Sequence, residues 1–192
     1  MTRTVYYTAT TLDGFLADPQ DSLDWLFEVP AEPPTDRFNA FFAGIGAFLM
    51  GSTTYEWVLA HEKVLDDPAK WTSWYGETPA VVMTTRTLPE VAGVRFASGD
   101  VRPVHAALVQ AAGDAGDKDI WVVGGGELAG QLADHGLLDE LRLSVAPVTL
   151  GAGKPLLPRR LTAKDLHLTN VEPDGQFVHL TYMVQSGGRG GS

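Results

Sequence analysis

Residues Ile120 to Val123 form an apolar run of strand length that empties into Gly124-Gly125-Gly126-Glu127, and a helical pattern begins at once. A strand that passes through so short a turn into a helix opens a β-α unit, which restricts the chain to helices layered over a buried, largely parallel sheet. Glycine lets a ligand approach the backbone, and the first N–H groups of a helix attract anions. The junction therefore reads as a phosphate-cradling turn, beside the plainer reading of a tight turn that needs positive φ. The string also satisfies G-x-G-x-x-A through Gly124, Gly126 and Ala129. That fingerprint belongs after the first strand of a unit, whereas most of the chain beyond it here is hairpin.

Other segments repeat the theme. Thr4 to Leu12 is rich in β-branched and aromatic residues and ends at the turn Asp13-Gly14. Ala47 to Met50 reads as a short buried strand, with Gly51-Ser52-Thr53-Thr54 turning into a helix through about Leu59. The hydroxyls of that turn either cap the helix or donate to a second phosphate. Ala80 to Met83 is a strand ending at Thr84-Thr85-Arg86, where Arg86 either grips an adenosine 2′-phosphate or is an ordinary exposed arginine. Thr35 caps a helix with Phe38, Phe41, Phe42 and Ile45 on one face, and Asp100 caps another with Val104, Leu108 and Ala111 inward. Glu127 to His135 is a helix stopped by Gly136. Asp18 to Pro34 reads as an ordered loop over the core, and residues 61 to 79 as a long excursion.

After Leu138-Asp139-Glu140 the apolar period changes to two, at Leu141, Leu143 and Val145. Leu166 to Val171 and Phe177 to Val184 then form a hairpin through Pro173-Asp174-Gly175. The expected fold class is α/β: a mixed, mostly parallel central sheet flanked by helices and ending in an antiparallel hairpin. Residues 1–185 are expected to form a single domain, and 186–192 a flexible glycine-rich tail.

A net charge of −10 argues against nucleic acid, whose binding draws on phosphate neutralised by Lys and Arg, but leaves room for a nucleotide held by backbone N–H groups. The absence of cysteine excludes disulfides, thiolate metal sites and thiol catalysis, and suits a cytoplasmic setting. No apolar stretch approaches the ~20 residues of a membrane span, and no signal peptide is read at the start. The five histidines lack metal-ligand spacing, so no metal is expected. Neither G-x-S-x-G nor a P-loop is present, and Lys154, followed by Pro155, belongs to a rigid loop. Asp13 lies where a substrate carbonyl, imine or ribose hydroxyl would meet it, although Asp-Gly is also simply a good turn. Asp36 suits the macrodipole at a helix start. Trp25, Trp71 and Trp74 would suit either a ligand-sequestering loop or core and lid.

Five blocks in order carry a resemblance: Thr11–Phe15, Leu49–Glu56, Val122–Leu128, Leu138–Leu141 and Ala146–Pro155. From about residue 3 to 185 the chain resembles the dihydrofolate-reductase-like superfamily, in the branch related to the reductase domain of bacterial riboflavin-biosynthesis enzymes. The resemblance implies NADPH lying across the carboxyl ends of the strands, a small-molecule substrate and a homodimer. It places Gly124, Gly125, Gly126, Glu127 and Leu128 at the pyrophosphate and nicotinamide side. Gly51, Ser52, Thr53 and Thr54 would hold the adjoining phosphate, and Thr84, Thr85 and Arg86 the adenosine end. Ala9 and the Asp13-Gly14 turn would flank nicotinamide and substrate, with Asp13 or a bound water as proton donor; Asp36 lies roughly where dihydrofolate reductases proper carry their carboxylate. The implied activity is reduction of a small heterocyclic or imine-like substrate, of the 5-amino-6-(5-phosphoribosylamino)uracil reductase type. A dihydrofolate-reductase-like enzyme and an NADPH-binding module without that activity are the alternatives.

Overall fold

The computed structural model describes residues 1–30 and 36–185; the expected Thr35 cap, the end of the Asp18–Pro34 loop and the 186–192 tail lie outside these. The chain runs β1 (Thr4–Thr11), β2 (Phe15–Ala17), α1 (Asp24–Glu28), α2 (Arg37–Phe42), β3 (Ile45–Gly51), α3 (Ser52–His61), α4 (Ala69–Tyr75) and β4 (Ala80–Met83). It continues with β5 (Val94–Ala97), α5 (Val101–Asp114), β6 (Asp119–Val122), α6 (Gly126–Asp134), β7 (Glu140–Ala146), β8 (Lys154–Pro155), β9 (Leu166–Asp174) and β10 (Phe177–Val184). Eight strands form one sheet in the order β5-β4-β3-β6-β1-β7-β10-β9, and β2 and β8 form a small ribbon. Neighbours from β5 to β7 are parallel, and β10 runs antiparallel to both β7 and β9. This is the mixed sheet with a terminal hairpin that the sequence pattern implies.

Alternation within the strands divides the core in two, because successive side chains leave a strand on opposite faces. Ala47 and Leu49 of β3 join Tyr6, Ile120 and Val122 beneath α5 and α6, packed by Leu108, Ala112, Leu128 and Leu132. Phe48 and Met50 of the same strand, with Val82 and Trp121, face α3 and α4, packed by Tyr55, Val58, Leu59 and Trp71. A strand buried on both faces must be apolar throughout, and β3 is buried over Ile45 to Met50. Asp100 caps α5 as the sequence implies, accepting from the Arg102 N–H at 2.9 Å.

The expected helix face of Phe38, Phe41, Phe42 and Ile45 is corrected. The helix ends at Phe42, the chain turns through Gly44, and Ile45 opens β3 opposite Asp119. Phe41 and Phe42 pack instead by aromatic edges on Tyr7 and Trp121. The proline-rich loop holds α1, whose Trp25 is buried on Ala146 and donates to the Leu16 carbonyl at 3.2 Å. Residues 61–79 contain α4, with Trp71 buried against Phe48 and Tyr55. The three tryptophans thus belong to separate places: Trp25 and Trp71 are buried in different clusters, and Trp74 is exposed. Strand β9 runs through Pro173 and Asp174, leaving a two-residue turn at Gly175-Gln176; Pro173 is accommodated because β9 is an edge strand.

The segment after β7 returns over the start of the chain. The Leu12 N–H donates to the Val148 carbonyl at 2.7 Å, the Leu156 N–H to the Gly14 carbonyl at 2.9 Å, and the Tyr6 hydroxyl to the Leu156 carbonyl at 3.0 Å. A Cβ on Gly153 would collide with the Ala17 carbonyl oxygen, so glycine is what lets this strap lie down. Replacing Trp71 with alanine is expected to cost about 3–5 kcal/mol, read from the urea midpoint at constant m-value.

Candidate functional site

Parallel strands align their carboxyl ends on one edge of the sheet, and four turns leave from it: Asp13-Gly14 after β1, Gly51–Thr54 after β3, Thr84–Arg86 after β4 and Gly124–Glu127 after β6. Strands β3 and β6 are neighbours, yet α3 packs on one face of the sheet and α6 on the other. Two adjacent strands whose helices depart to opposite faces leave a crevice between their carboxyl ends, the place where open α/β sheets bind ligands. Here the crevice is narrow: the Gly51 N–H donates to the Gly124 carbonyl at 3.3 Å, and a Cβ on Gly124 would lie 2.7 Å from the Thr54 hydroxyl oxygen.

Neither helix is capped by a side chain at this edge, since the N-cap residues are Gly51 for α3 and Gly125 for α6. The first N–H groups of a helix have no partner within it, so two helix starts converge here with the positive ends of their dipoles. The three glycines divide the labour. Gly125 has φ +100°, which side-chain-bearing residues rarely adopt, and Gly124 makes room for Thr54. Gly126 faces inward, where a Cβ would collide with the carbonyl oxygens of Pro155 and Leu156; the strap already fills that side.

Two charged residues of the expected site are already engaged. Glu127 holds Arg159 through both carboxylate oxygens at 2.7 and 2.9 Å, and Arg159 also reaches Asp134 at 2.7 Å. Arg86 makes a two-point pair with Glu56 at 2.5 and 3.2 Å on the exposed surface, and its N–H donates to the Thr84 hydroxyl. Leu128 is buried in the core beneath α6, so its side chain supports the turn from below. Ala9 packs with Trp25 and Ala146 near the carboxyl end of β1.

Asp13 is a clamp. Its carboxylate accepts from the Thr11 hydroxyl at 2.5 Å, the Gly151 N–H at 2.7 Å and the Leu150 N–H at 3.0 Å. The Thr11 hydroxyl first, and the Gly151 N–H next, hold its pKa below the usual carboxylate range. An acid that must donate near neutral pH needs the opposite shift. Asp36 stands at the start of α2, accepting from the Asn39 amide at 3.0 Å, and lines a 780 Å³ hollow with Tyr7, Arg37, Phe41, Arg142 and His179. This hollow, between α2 and the β1-β7-β10-β9 part of the sheet, gives no motif in sequence, because its residues come from four strands and a helix. Of its lining, the sequence singles out only Asp36 as a candidate site residue.

Residues 4–180 match the RibD C-terminal domain family. The chain belongs to that family. It is similar to the Bacillus subtilis protein YwjB, 30% identical over 190 residues that cover 94% of this chain and 97% of YwjB. Among solved structures, a Shewanella sp. PV-4 protein assigned to riboflavin biosynthesis superposes with a TM-score of 0.75 at 24% identity, over 96% of this chain and 99% of that one. The Thermotoga maritima diaminohydroxyphosphoribosylaminopyrimidine deaminase/5-amino-6-(5-phosphoribosylamino)uracil reductase superposes with a TM-score of 0.61 at 16% identity, over 96% of this chain and 57% of that enzyme. The dihydrofolate-reductase-like fold of the riboflavin branch is thereby established for this RibD C-terminal domain protein. No helix among its described residues is long and apolar enough to cross a membrane.

Two variants probe this RibD-type edge by stability. Gly126→Ala should destabilise by about 1–3 kcal/mol or more, because backbone must move, whereas Gly124→Ala should cost less, since the Thr54 side chain can turn away; thermal denaturation of both variants checks the ranking. Asp13 has a lowered pKa in the folded state, so its stabilisation is complete above the unfolded carboxylate value near ~3.9 and fades as pH falls through the folded one. Asp13→Asn is therefore expected to lower the urea midpoint at pH ~7, with the gap to wild type closing as pH falls below the unfolded carboxylate value and the native carboxyl is protonated.

Proposed function

We propose that this protein is an NADPH-dependent reductase of the 5-amino-6-(5-phosphoribosylamino)uracil reductase type, acting on a small heterocyclic or imine-like substrate at the carboxyl edge of its sheet. The observation that carries the reading is the meeting of two helix starts without side-chain caps, α3 and α6, at the crevice between β3 and β6 of a RibD C-terminal domain protein. When bound, the cofactor supplies hydride from its nicotinamide ring.

The chain's own residues then take separate parts. Backbone N–H groups of Ser52–Thr54 and Gly124–Gly125 bind pyrophosphate, with the Ser52, Thr53 and Thr54 hydroxyls as further donors, while Gly51, its N–H given to the Gly124 carbonyl, shapes the turn. Thr84, Thr85 and Arg86 hold the adenosine end. Arg86 must there exchange Glu56 for phosphate, a cheap exchange because an exposed pair is worth only ~0–1 kcal/mol. Glu127 anchors α6 through Arg159. Ala9, small and near the end of β1, leaves space for a flat ring. Asp13 orients the strap at Leu150-Gly151, so the proton that a reduced product requires comes from another group or from water. A homodimer and a cytoplasmic setting complete the proposal.

The alternative is a module that binds NADPH without turnover. One observation favours it: the carboxylate expected to act as an acid is tied by three donors and stays ionised. Fluorescence titration with NADPH tests both readings, and saturable binding is expected. A chain that does not bind NADPH fits neither. Thr54→Val should weaken binding about tenfold, the loss of ~1.5 kcal/mol for a hydrogen bond to a charged group. Oxidation of NADPH with a panel of pyrimidine and pteridine substrates then separates enzyme from module.

A further inference from the structure

We infer that Ser144 delivers the proton that the reduced product requires, and that His179 and Asp174 feed it through a relay laid across the sheet. The inference rests on the reductase reading, which sets the cofactor's flat ring beside Ala9.

One register line carries the parts. Ala9 on β1 lies beside Ser144 on β7, Ser144 is opposite His179 on β10, and His179 is opposite Glu172 on β9. Residues paired in this way project from one face of a sheet, so the four side chains form a row, and Asp174, two positions from Glu172, shares their face. The Ser144 hydroxyl meets His179 Nδ1 at 2.9 Å, and His179 Nε2 meets an Asp174 carboxylate oxygen at 3.2 Å. Ser144 is buried, whereas His179 keeps 15% of its side chain exposed where it lines the hollow beneath α2. The inner end of the row is shielded, and its outer end can take a proton from water. Ala9 carries only a methyl group, so a ring lying over β1 comes within reach of the Ser144 hydroxyl beside it.

The direction of the Ser144 O–H follows the charge on His179. An ionised Asp174 can only accept, so Nε2 carries a proton in either state of the ring. When His179 is neutral, Nδ1 is an acceptor and Ser144 gives its O–H to it. When His179 is charged, Nδ1–H donates to the Ser144 oxygen and frees the O–H for a substrate. As hydride reaches an imine carbon, the C=N π pair moves to nitrogen, and nitrogen takes the Ser144 proton. His179 Nδ1 restores that proton to Ser144 and the ring is left neutral, with its Nε2–H on Asp174. The amine and the oxidised nicotinamide leave, and water in the hollow recharges the ring.

The charged and titratable groups around the ring come from every element that packs there: Tyr7 on β1, Asp36 and Arg37 on α2, Glu140 and Arg142 on β7, and Glu172 and Asp174 on β9. Arg37 pairs with Glu172 at 2.7 Å and stands 3.4 Å from Asp174, and Arg142 is held by Glu140. Asp174 is the acid in contact with the imidazole and gives its charged form a counter-charge.

The test joins ¹⁵N NMR of the His179 ring with the pH profile of kcat/KM for 5-amino-6-(5-phosphoribosylamino)uracil at saturating NADPH. In wild type, kcat/KM should fall above the midpoint at which NMR sees the ring lose its proton in the NADPH-loaded chain. Asp174→Asn should move midpoint and falling limb together, by about one pH unit toward lower pH. Ser144→Ala should lower kcat/KM about a hundredfold while NADPH affinity stays as in wild type. A limb that stays in place while the NMR midpoint moves overturns the inference, as does a Ser144→Ala chain that turns over like wild type. A ring that stays neutral from pH ~5 upward overturns it with no turnover measured. Failure of the wild-type chain to load NADPH, or to oxidise it with this pyrimidine or any other of the panel, removes the reductase reading itself, and the relay falls with it.

Discussion

One hydrogen bond, from the Gly51 N–H to the Gly124 carbonyl, joins the two turns on which the whole edge depends. It is possible because β3 and β6 pair in parallel and end together, and it is needed because the chain then parts to opposite faces. Nothing bulkier than glycine fits easily on the β6 side. The contact fixes both helix starts relative to each other, so the polarity of α3 and α6 converges without a charged side chain being spent on it. A protein of net charge −10 can hold a phosphate group in this way and still repel a nucleic acid.

Much of this edge was legible in the amino-acid order. Each strand-turn-helix junction is local: the apolar run, the small turn residues and the helix period lie within a dozen positions, and periodicity reports them directly. Asp100 as a cap and β3 as a doubly buried strand were readable for the same reason. The reading failed where tertiary contact overrode a local pattern. Ile45 continues a helical spacing from Phe38, but its pairing opposite Asp119 claims it for β3. Strand β5, with the alternation of only four residues, left no clear signal. That Pro155 and Leu156 lie against Gly126 is likewise a long-range contact that no local pattern shows. Apart from Asp36, the hollow beneath α2 was invisible, being assembled from β1, α2, β7, β9 and β10.

Charge in this molecule is arranged for positioning more than for stability. Exposed pairs such as Arg86 with Glu56 contribute little individually. Their effect is to decide which groups remain available. Arginines at the edge and in the hollow pair with acids that set how each guanidinium is presented. Glu140 is the exception in energetic weight: nearly inaccessible, it gathers Arg3 and Arg142 and links the start of β1 to β7.

The strap from Val148 to Leu156 has a consequence for the order in which the molecule can be completed. Asp13, Leu12, Gly14 and Tyr6 all wait for partners about 140 positions later, at Val148, Leu150, Gly151 and Leu156. Closing such separations is slow, because loop entropy is lost before the contacts reward it. A ribosome making this chain releases β1 long before the strap exists, so the turn at Asp13 stays loose until the last third has emerged. The Asp13 end of the sheet's carboxyl edge is thus among the later parts of the nascent protein to set.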